Sequence, residues 1–180
     1  MKHPKIAITI RGFGTLTAEL YPEKAPKTVE NFLSLVDSGF YSGTVFHRVI
    51  KGFMIQGGGY TEDFAEKRAA AIPGEFRANG FMANDLHHAP GVLSMARTQD
   101  PDSASSQFFI MHGDAGYLDS QYAGFGRVTE GQEIVDRIAA RPTGRRGWFD
   151  DVPKEAVVIE RIERIGDAEP QSPHAKEANR

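Results

Sequence analysis

Short stretches of alternating apolar and polar residues run through most of the chain and predict β-strands. In residues 5–10 the side chains of Ile6, Ile8 and Ile10 share one face, and residues 15–20 repeat this two-residue period. Such a period is typical of half-buried strands, and the glycines between the two stretches indicate a hairpin. The same kind of pattern predicts six further strands, over residues 45–50, 53–57, 92–96, 107–111, 124–128 and 157–164.

Two segments have the spacing of amphipathic helices instead. In residues 26–37 apolar residues recur three and four positions apart, with Pro26 suited to the first helical position and Gly39 to the end. A capping box at residues 129–132 predicts the start of the second helix. Many short strands with only two helices predict a closed antiparallel barrel or a sandwich. The apolar stripe of the second helix is assigned to Ile134, Val135 and Ile138, and its end to Arg141 and Pro142.

The length of 180 residues fits a single domain with a substantial core. We assign this domain to residues 1–165, because the polar residues 166–180 have no periodicity and are predicted to form a disordered tail. Within the domain, residues 61–89 form the least regular segment. Long irregular segments of compact domains are often functional loops, so we expect this one to wrap around the site. A monomer is the default expectation.

Composition and charge exclude several classes of function. The chain has no cysteine, which excludes disulfides, thiol nucleophiles and thiolate metal sites. Its formal net charge is -3 and it has no run of Lys or Arg, so nucleic acid and anionic membrane surfaces are disfavoured as partners. No apolar stretch has the length of a membrane span or follows the basic N-terminus as in a signal peptide, and we therefore expect a cytoplasmic protein.

Four blocks of sequence carry a more specific signal than the strand pattern. The first is residues 46–58, and the others are residues 25–32, residues 91–97 with 106–110, and residues 117–119 with 124–128. Together the blocks resemble the cyclophilin family of peptidyl-prolyl cis-trans isomerases, in particular its bacterial members, over most of residues 5–165. The resemblance implies a mainly β fold, a closed eight-stranded antiparallel β-barrel capped by two α-helices. It also implies an isomerase of Xaa-Pro bonds that assists protein folding without a cofactor or metal, acting on proline-containing peptides and unfolded or folding proteins.

The resemblance assigns catalytic roles to Arg48, Gln56 and Phe53. When the peptide bond is twisted, the proline nitrogen regains a localised lone pair, and a fixed cationic donor such as Arg48 stabilises that state over both planar states. Gln56 matches the family residue that bonds the substrate backbone and positions the arginine, and Phe53 belongs to an apolar pocket for proline. The other substrate contacts are assigned to Met54, Ala96, Arg97, Gln107, Phe109, Tyr117, Leu118 and Tyr122.

Strand alternation makes two geometric demands on this site. Phe53 and Met54 would face opposite sides of a regular strand, so both can reach one groove only if Gly52 bends the chain. His47 alternates with Arg48 and is predicted to be a buried, hydrogen-bonded histidine rather than a catalytic base. Because a barrel of eight strands is filled by its own side chains, the polypeptide must bind in a groove on the outer surface.

Three positions depart from the common pattern of the family. Tyr117 stands where many cyclophilins have Trp, Tyr122 matches the family's His, and Arg97 replaces a usual Asn. The Trp position matters for the cyclic peptide cyclosporin, so the resemblance implies weakened binding of cyclosporin but retained isomerisation. Several other residues lack the spacing of metal ligands, and we expect no metal at His87, His88, His112 or residues 99–103.

Two alternative functions belong to other classes. A cyclophilin-fold module could hold proline-containing segments without useful turnover, although the presence of Arg48, Gln56 and the pocket residues argues against it. A lipocalin-like barrel for a small ligand would need an open interior. Bulky inward residues are predicted to fill the barrel instead, namely Ile6, Ile8, Leu16 and Leu20.

Overall fold

A computed structural model describes residues 2–168 of the chain. Within this range the fold is mainly β, with two α-helices, α1 at Pro26–Asp37 and α2 at Gln132–Ala139. No helix in residues 2–168 combines the length and the apolar character needed to cross a membrane. The strands of the same range are β1 His3–Ile10, β2 Gly14–Leu20, β3 Thr44–Ile50, β4 Met54–Thr61, β5 Val92–Met95, β6 Phe108–Met111, β7 Gly124–Glu130, β8 Thr143–Arg146, β9 Phe149–Pro153 and β10 Ile159–Ala168.

Eight of these strands form one curled antiparallel sheet, in the order β10-β1-β2-β7-β5-β6-β4-β3. Its edge strands β3 and β10 meet through one isolated bridge between Val45 and Val158, and the N–H of Phe46 donates to the carbonyl oxygen of Val157 at 3.0 Å. Because β3 and β10 form no ladder along their length, the sheet does not close fully along this seam. The predicted eight-stranded antiparallel architecture with two helices is confirmed, apart from that incomplete closure.

One face of the sheet and both helices enclose the main core. Phe32 of α1 packs against Phe108 and Phe125, with ring centroids 5.5 and 5.1 Å apart. Alternate residues of β1 and β2 point into the same core and fill the interior, which contradicts the lipocalin-like alternative. The opposite face of the sheet is therefore the one left for a ligand. These inward residues, each almost completely buried, are Ile6, Ile8, Ile10, Leu16 and Leu20.

The start of α2 differs from its prediction. Thr129 still belongs to β7, and its hydroxyl lies 3.0 Å from the hydroxyl of Thr17 on the neighbouring strand, so no capping box forms. Gly131 precedes the helix instead, with φ 95°. A Cβ at Gly131 would lie 2.7 Å from the Cβ of Leu16, which explains the glycine. The predicted apolar stripe on Ile134, Val135 and Ile138 is confirmed, since all three are buried.

Two features near the C-terminal end were not predicted. Strands β8 and β9 pair as a separate two-stranded hairpin. Only Val152 and Pro153 of their residues are buried, and these two are adjacent, so the hairpin has none of the apolar alternation that marks half-buried strands. Strand β10 continues through Ala168, three residues past the predicted domain boundary at residue 165. The rest of the predicted tail, residues 169–180, lies outside the described residues.

Candidate active site

A cavity of about 180 Å³ lies on the face of the sheet opposite the main core. Successive residues of β6 alternate between the two faces, so that Phe108 and Ile110 join the main core while Phe109 and Met111 join a second apolar cluster. Met54, Phe109 and Leu118 of this second cluster form the floor of the cavity. The residues that line the cavity are Arg48, Phe53, Met54, Gln56, Ala96, Arg97, Phe109, Leu118 and Tyr122.

Arg48 is held at the rim of the cavity by a chain of side-chain hydrogen bonds. Arg48 on β3 is the register partner of Gln56 on β4, and its Nη1 donates to Gln56 Oε1 at 3.3 Å. The amide nitrogen of Gln56 donates to Gln107 Oε1 at 3.0 Å. Gln56 thus uses both ends of its amide, and it orients an exposed guanidinium towards the cavity.

The floor of the cavity depends on a turn at Gly52. Gly52 has φ 81°, and the N–H of Phe53 donates to the carbonyl oxygen of Ile50 at 3.0 Å. Phe53 therefore lies in the turn, and β4 begins only at Met54. Both side chains line the cavity, as the predicted bend at Gly52 requires. With Phe109 they provide an apolar surface beneath the arginine.

Arg97 shapes one wall through its side chain as well as its backbone. Its Nη2 donates to the carbonyl oxygen of Gln121 at 2.8 Å. Its guanidinium lies 4.7 Å from the centre of the Tyr122 ring and 4.8 Å from that of Phe76. The ring of Tyr122 in turn meets Phe109 edge to face, with centroids 5.9 Å apart. Arg97 therefore fixes Tyr122 against the floor of the cavity.

Two of the predicted site residues lie beside the cavity rather than in its lining. Gln107 contacts the site through Gln56, and its carbonyl oxygen accepts the N–H of Ala96 at 3.0 Å. Tyr117 is 72% exposed, and its ring lies roughly parallel to that of Phe53 with centroids 6.2 Å apart. Tyr117 thus extends the apolar surface outward from the rim.

Comparison with known proteins decides the family. The family model described as "Cyclophilin type peptidyl-prolyl cis-trans isomerase/CLD" matches residues 5–164. The chain belongs to the cyclophilin-type peptidyl-prolyl cis-trans isomerases.

Relatives and solved structures agree with this assignment. The chain is 47% identical over 161 residues to "Peptidyl-prolyl cis-trans isomerase cyp18" of Streptomyces antibioticus, covering 85% of this chain and 94% of that one. It is 43% identical over 157 residues to "Peptidyl-prolyl cis-trans isomerase B" of Escherichia coli, covering 83% and 93%. A crystal structure of a Cryptosporidium parvum cyclophilin in the presence of the dipeptide Ala-Pro has a TM-score of 0.74 at 28% identity, covering 90% and 99%.

A buried polar network behind the cavity of this cyclophilin was not predicted as part of the site. His88 Nε2 lies 2.8 Å from Ser94 Oγ, and its Nδ1 lies 2.8 Å from Asp119 Oδ1. The imidazole stacks on Phe109 with centroids 6.2 Å apart, and Asp119 directly follows Leu118. Burial lowers the pKa of His88, although the Asp119 carboxylate opposes that shift. The network supports both Phe109 and Leu118 from behind.

His47 lies on the other side of β3 from Arg48. It is buried as predicted, beside Tyr60 and Phe149, whose ring centroids are 4.8 and 6.0 Å away. The predicted hydrogen bond is wrong for Nδ1, which has no partner among the described residues because aromatic rings surround it. Burial, with a smaller effect of the Arg48 charge, lowers the pKa of His47 to about 4. The imidazole is therefore neutral at physiological pH.

His87 and His112 are engaged in local contacts. His87 Nε2 lies 2.8 Å from Asp114 Oδ2. His112 Nδ1 accepts the N–H of Gly52 at 2.8 Å, next to the turn that places Phe53. Between residues 2 and 168 no three His, Asp or Glu side chains are grouped as metal ligands would be. The irregular segment before β5 reaches the site as expected, through Phe76 against Arg97 and Leu86 beside the floor.

Proposed function

We propose that this cyclophilin accelerates rotation about Xaa-Pro bonds by noncovalent stabilisation of the twisted amide, with Arg48 as the decisive group. The observation that carries the proposal is the guanidinium of Arg48, oriented by Gln56 at the rim of an apolar cavity. The substrates are proline-containing peptides and unfolded or folding proteins, whose folding the enzyme assists.

The proposed mechanism needs no covalent intermediate. Rotation of a peptide bond costs about 18–20 kcal/mol because it destroys amide resonance. In the twisted state the proline nitrogen becomes a better hydrogen-bond acceptor, and Arg48 donates to it or holds the adjoining substrate carbonyl. The planar amide is the more dipolar form, so the apolar floor also favours the twisted one. An acceleration of about 10⁵-fold would require only about 7 kcal/mol from these effects.

The remaining residues position the substrate in this proposal. The proline ring occupies the apolar floor of Phe53, Met54, Phe109 and Leu118, and the backbone at Ala96 and Arg97 pairs with the extended peptide. Gln56 bonds the substrate backbone and, with Gln107 behind it, fixes the arginine. Tyr117 and Tyr122 form the outer wall. Because Tyr117 replaces a Trp of the family, we propose that cyclosporin binds at this site with weakened affinity. Cytoplasmic location and a monomeric state stay predictions of the sequence.

The activity is tested with a short Xaa-Pro peptide and a catalytic amount of the folded protein. NMR exchange spectroscopy measures the cis-trans rate directly and needs no coupling protease. We expect exchange far faster than the uncatalysed isomerisation, which takes tens to hundreds of seconds. The control is Arg161→Ala, which removes an exposed strand arginine of β10 and should retain the rate. If the folded wild-type protein gives no acceleration, the enzyme is excluded and a proline-binding module without turnover takes its place.

A further inference from the structure

A second cavity, of about 420 Å³, adjoins the cavity of about 180 Å³ described above, which is called the proline cavity below. The two cavities share Arg48 and Gln56, so these side chains form a common wall between them. The far wall of the second cavity is the β8–β9 hairpin, which lies outside the eight-stranded sheet. A peptide whose proline occupies the first cavity can therefore continue over Arg48 and Gln56 into the second.

The hairpin presents an unpacked indole to this second cavity. Trp148 lies in the turn between β8 and β9 and is 92% exposed. An indole in this position contributes little to the core, and it forms the largest exposed aromatic surface beside the substrate groove. Tryptophan is the aromatic side chain that attracts cations most strongly over its face. The indole is thus suited to the stem and the charged end of a basic side chain.

Two carboxylates follow the indole along the same wall. Asp150 has one distant ionic contact, at 3.8 Å from the exposed Arg145. Asp151 has φ 59°, and its carboxylate has no cation within 4 Å in the part of the chain that the structure describes. The groups facing them are Arg48, which Gln56 orients towards the proline cavity, and the buried His47. The other wall residues are uncharged, namely Gln56, Tyr60, Gln107 and Phe149.

We propose that Trp148, Asp150 and Asp151 form an accessory substrate subsite that selects a Lys or Arg side chain close to the isomerised proline. The inference rests on the proposed function, because the subsite acts only on a peptide whose proline occupies the first cavity. The indole contacts the aliphatic stem and the cation of the side chain, and the two carboxylates pair with its charge. The hairpin thereby gives this enzyme a preference for basic sequence around proline.

The test is a set of Ala-rich peptides with one Xaa-Pro bond and a single Lys, norleucine or Glu. The variable residue is placed at each of about three positions on either side of the proline, within reach of an extended chain. The position directly before proline is left as Ala, since that residue changes the uncatalysed equilibrium. NMR exchange gives kcat/KM for each peptide. We expect Lys to exceed Glu by about 10-fold at one or more positions, with norleucine between them.

Variants assign the preference to the hairpin. Trp148→Ala and the pair Asp150→Asn with Asp151→Asn should each reduce the Lys-to-Glu ratio to about 2-fold or less. Asparagine tolerates the left-handed backbone at residue 151 about as well as aspartate, so the change removes charge without strain. High salt should lower the ratio for the wild type, because the subsite is open to solvent. The control is Glu155→Gln, which removes an exposed carboxylate outside both cavities and should keep the ratio.

The outcomes separate this inference from the proposed function. If the wild type accelerates the all-Ala peptide but treats Lys and Glu alike at every position, the subsite is excluded and the isomerase remains. A preference for Lys that survives both hairpin variants would also overturn the assignment to Trp148, Asp150 and Asp151. If the all-Ala peptide is not accelerated, the proposed function itself fails.

Discussion

The two histidines His47 and His87 illustrate how burial and carboxylate partners shift the pKa of the same side chain in opposite directions. Burial lowers the pKa of His47 from its ordinary 6.5 to about 4. Hydrogen bonds to Asp119 and Asp114 raise the pKa of the exposed His87. Acidification therefore affects the folded state in opposite directions at the two positions.

The pH dependence of stability follows from these shifts. Between pH 6.5 and 4 the unfolded chain binds a proton at His47 that the folded protein does not, so the folded state loses up to about 3 kcal/mol as the pH falls through that window. His47→Gln should therefore flatten the decline in unfolding free energy between pH 7 and pH 4.5, measured by urea denaturation. His87→Gln should steepen it, because a group with a raised pKa stabilises the folded state at low pH. Equal pH dependence of the unfolding free energy in the wild type and both variants would contradict these pKa shifts.

Tyr117 allows a test of drug affinity at a single exposed position. It is 72% exposed at the rim beside Phe53, so a larger ring can be introduced there without disturbing the core. Tyr117→Trp should increase the affinity for cyclosporin by about 10-fold. This corresponds to roughly 1.4 kcal/mol, which an added aromatic contact can supply. Isothermal titration of both proteins measures this change. An unchanged affinity would show that residue 117 does not determine cyclosporin binding.

Residues within one sequence block were predictable, whereas residues that join distant blocks were not. Arg48, Gln56 and Phe53 lie close together in the chain, on one pair of adjacent strands and the turn that joins them. His88 and Asp119 are 31 positions apart, and only the folded chain shows that they bond behind Phe109. The side-chain role of Arg97 was missed for the same reason, because its partners Phe76 and Tyr122 come from two separate loops.

At the scale of elements, the turn at Gly52 before β4 bears both on the stability of the fold and on the position of Phe53 in the cavity. Gly52 and Gly12 both have positive φ, 81° and 77°, and a Cβ at either would have no heavy atom within 4 Å. An alanine at either position therefore costs backbone strain rather than a steric clash. Only Gly52 directly precedes a residue of the cavity, Phe53.

This difference gives a matched pair of variants. Gly52→Ala and Gly12→Ala should each lower the unfolding free energy by about 1–2 kcal/mol, measured by chemical denaturation. Gly52→Ala should also lower kcat/KM by about 10-fold, because Phe53 moves relative to Met54 and Arg48. Gly12→Ala should retain the wild-type rate. Equal activity of the two variants would mean that the turn at Gly52 has no special role in placing the floor.

The elements that the sequence predicted bury at least one apolar face. Helix α1 was predicted to its exact bounds, Pro26–Asp37, because its apolar spacing and its first-turn proline agree. Hairpin β8–β9 was missed because its strands lack apolar alternation. The start of α2 was misplaced because Thr129 bonds to Thr17 on a strand 112 positions away. Local capping signals fail where a distant strand takes the capping side chain.

For the whole molecule, strand alternation explains why the interior and the site occupy opposite faces of one sheet. The side chains of Phe108 and Ile110 fill the core, while those of Phe109 and Met111 join the second apolar cluster, from which Phe109 lines the cavity. This division was predictable from the two-residue period and from the volume of the inward residues. The incomplete seam between β3 and β10 was not, because it depends on the contact of Val45 with Val158 far along the chain.

In the proposed mechanism, the same architecture separates Arg48, the group that stabilises the twisted amide, from the surface that binds the peptide. Arg48 lies at the rim on β3, whereas Phe53, Met54 and Phe109, on other elements, belong to the apolar part of the cavity lining. A noncovalent mechanism therefore predicts that removal of Arg48 affects the rate far more than the affinity, since Arg48 acts mainly on the twisted state.

The most direct test measures both quantities on the same samples of wild type and Arg48→Ala. NMR exchange gives the cis-trans rate at saturating Xaa-Pro peptide, and chemical-shift titration gives the Kd. We predict a loss of at least about 100-fold in kcat, equivalent to about 2.7 kcal/mol of transition-state stabilisation, with a Kd within about 3-fold of the wild type. A variant that keeps the wild-type kcat and loses only affinity would contradict the role of Arg48 in stabilising the twisted amide.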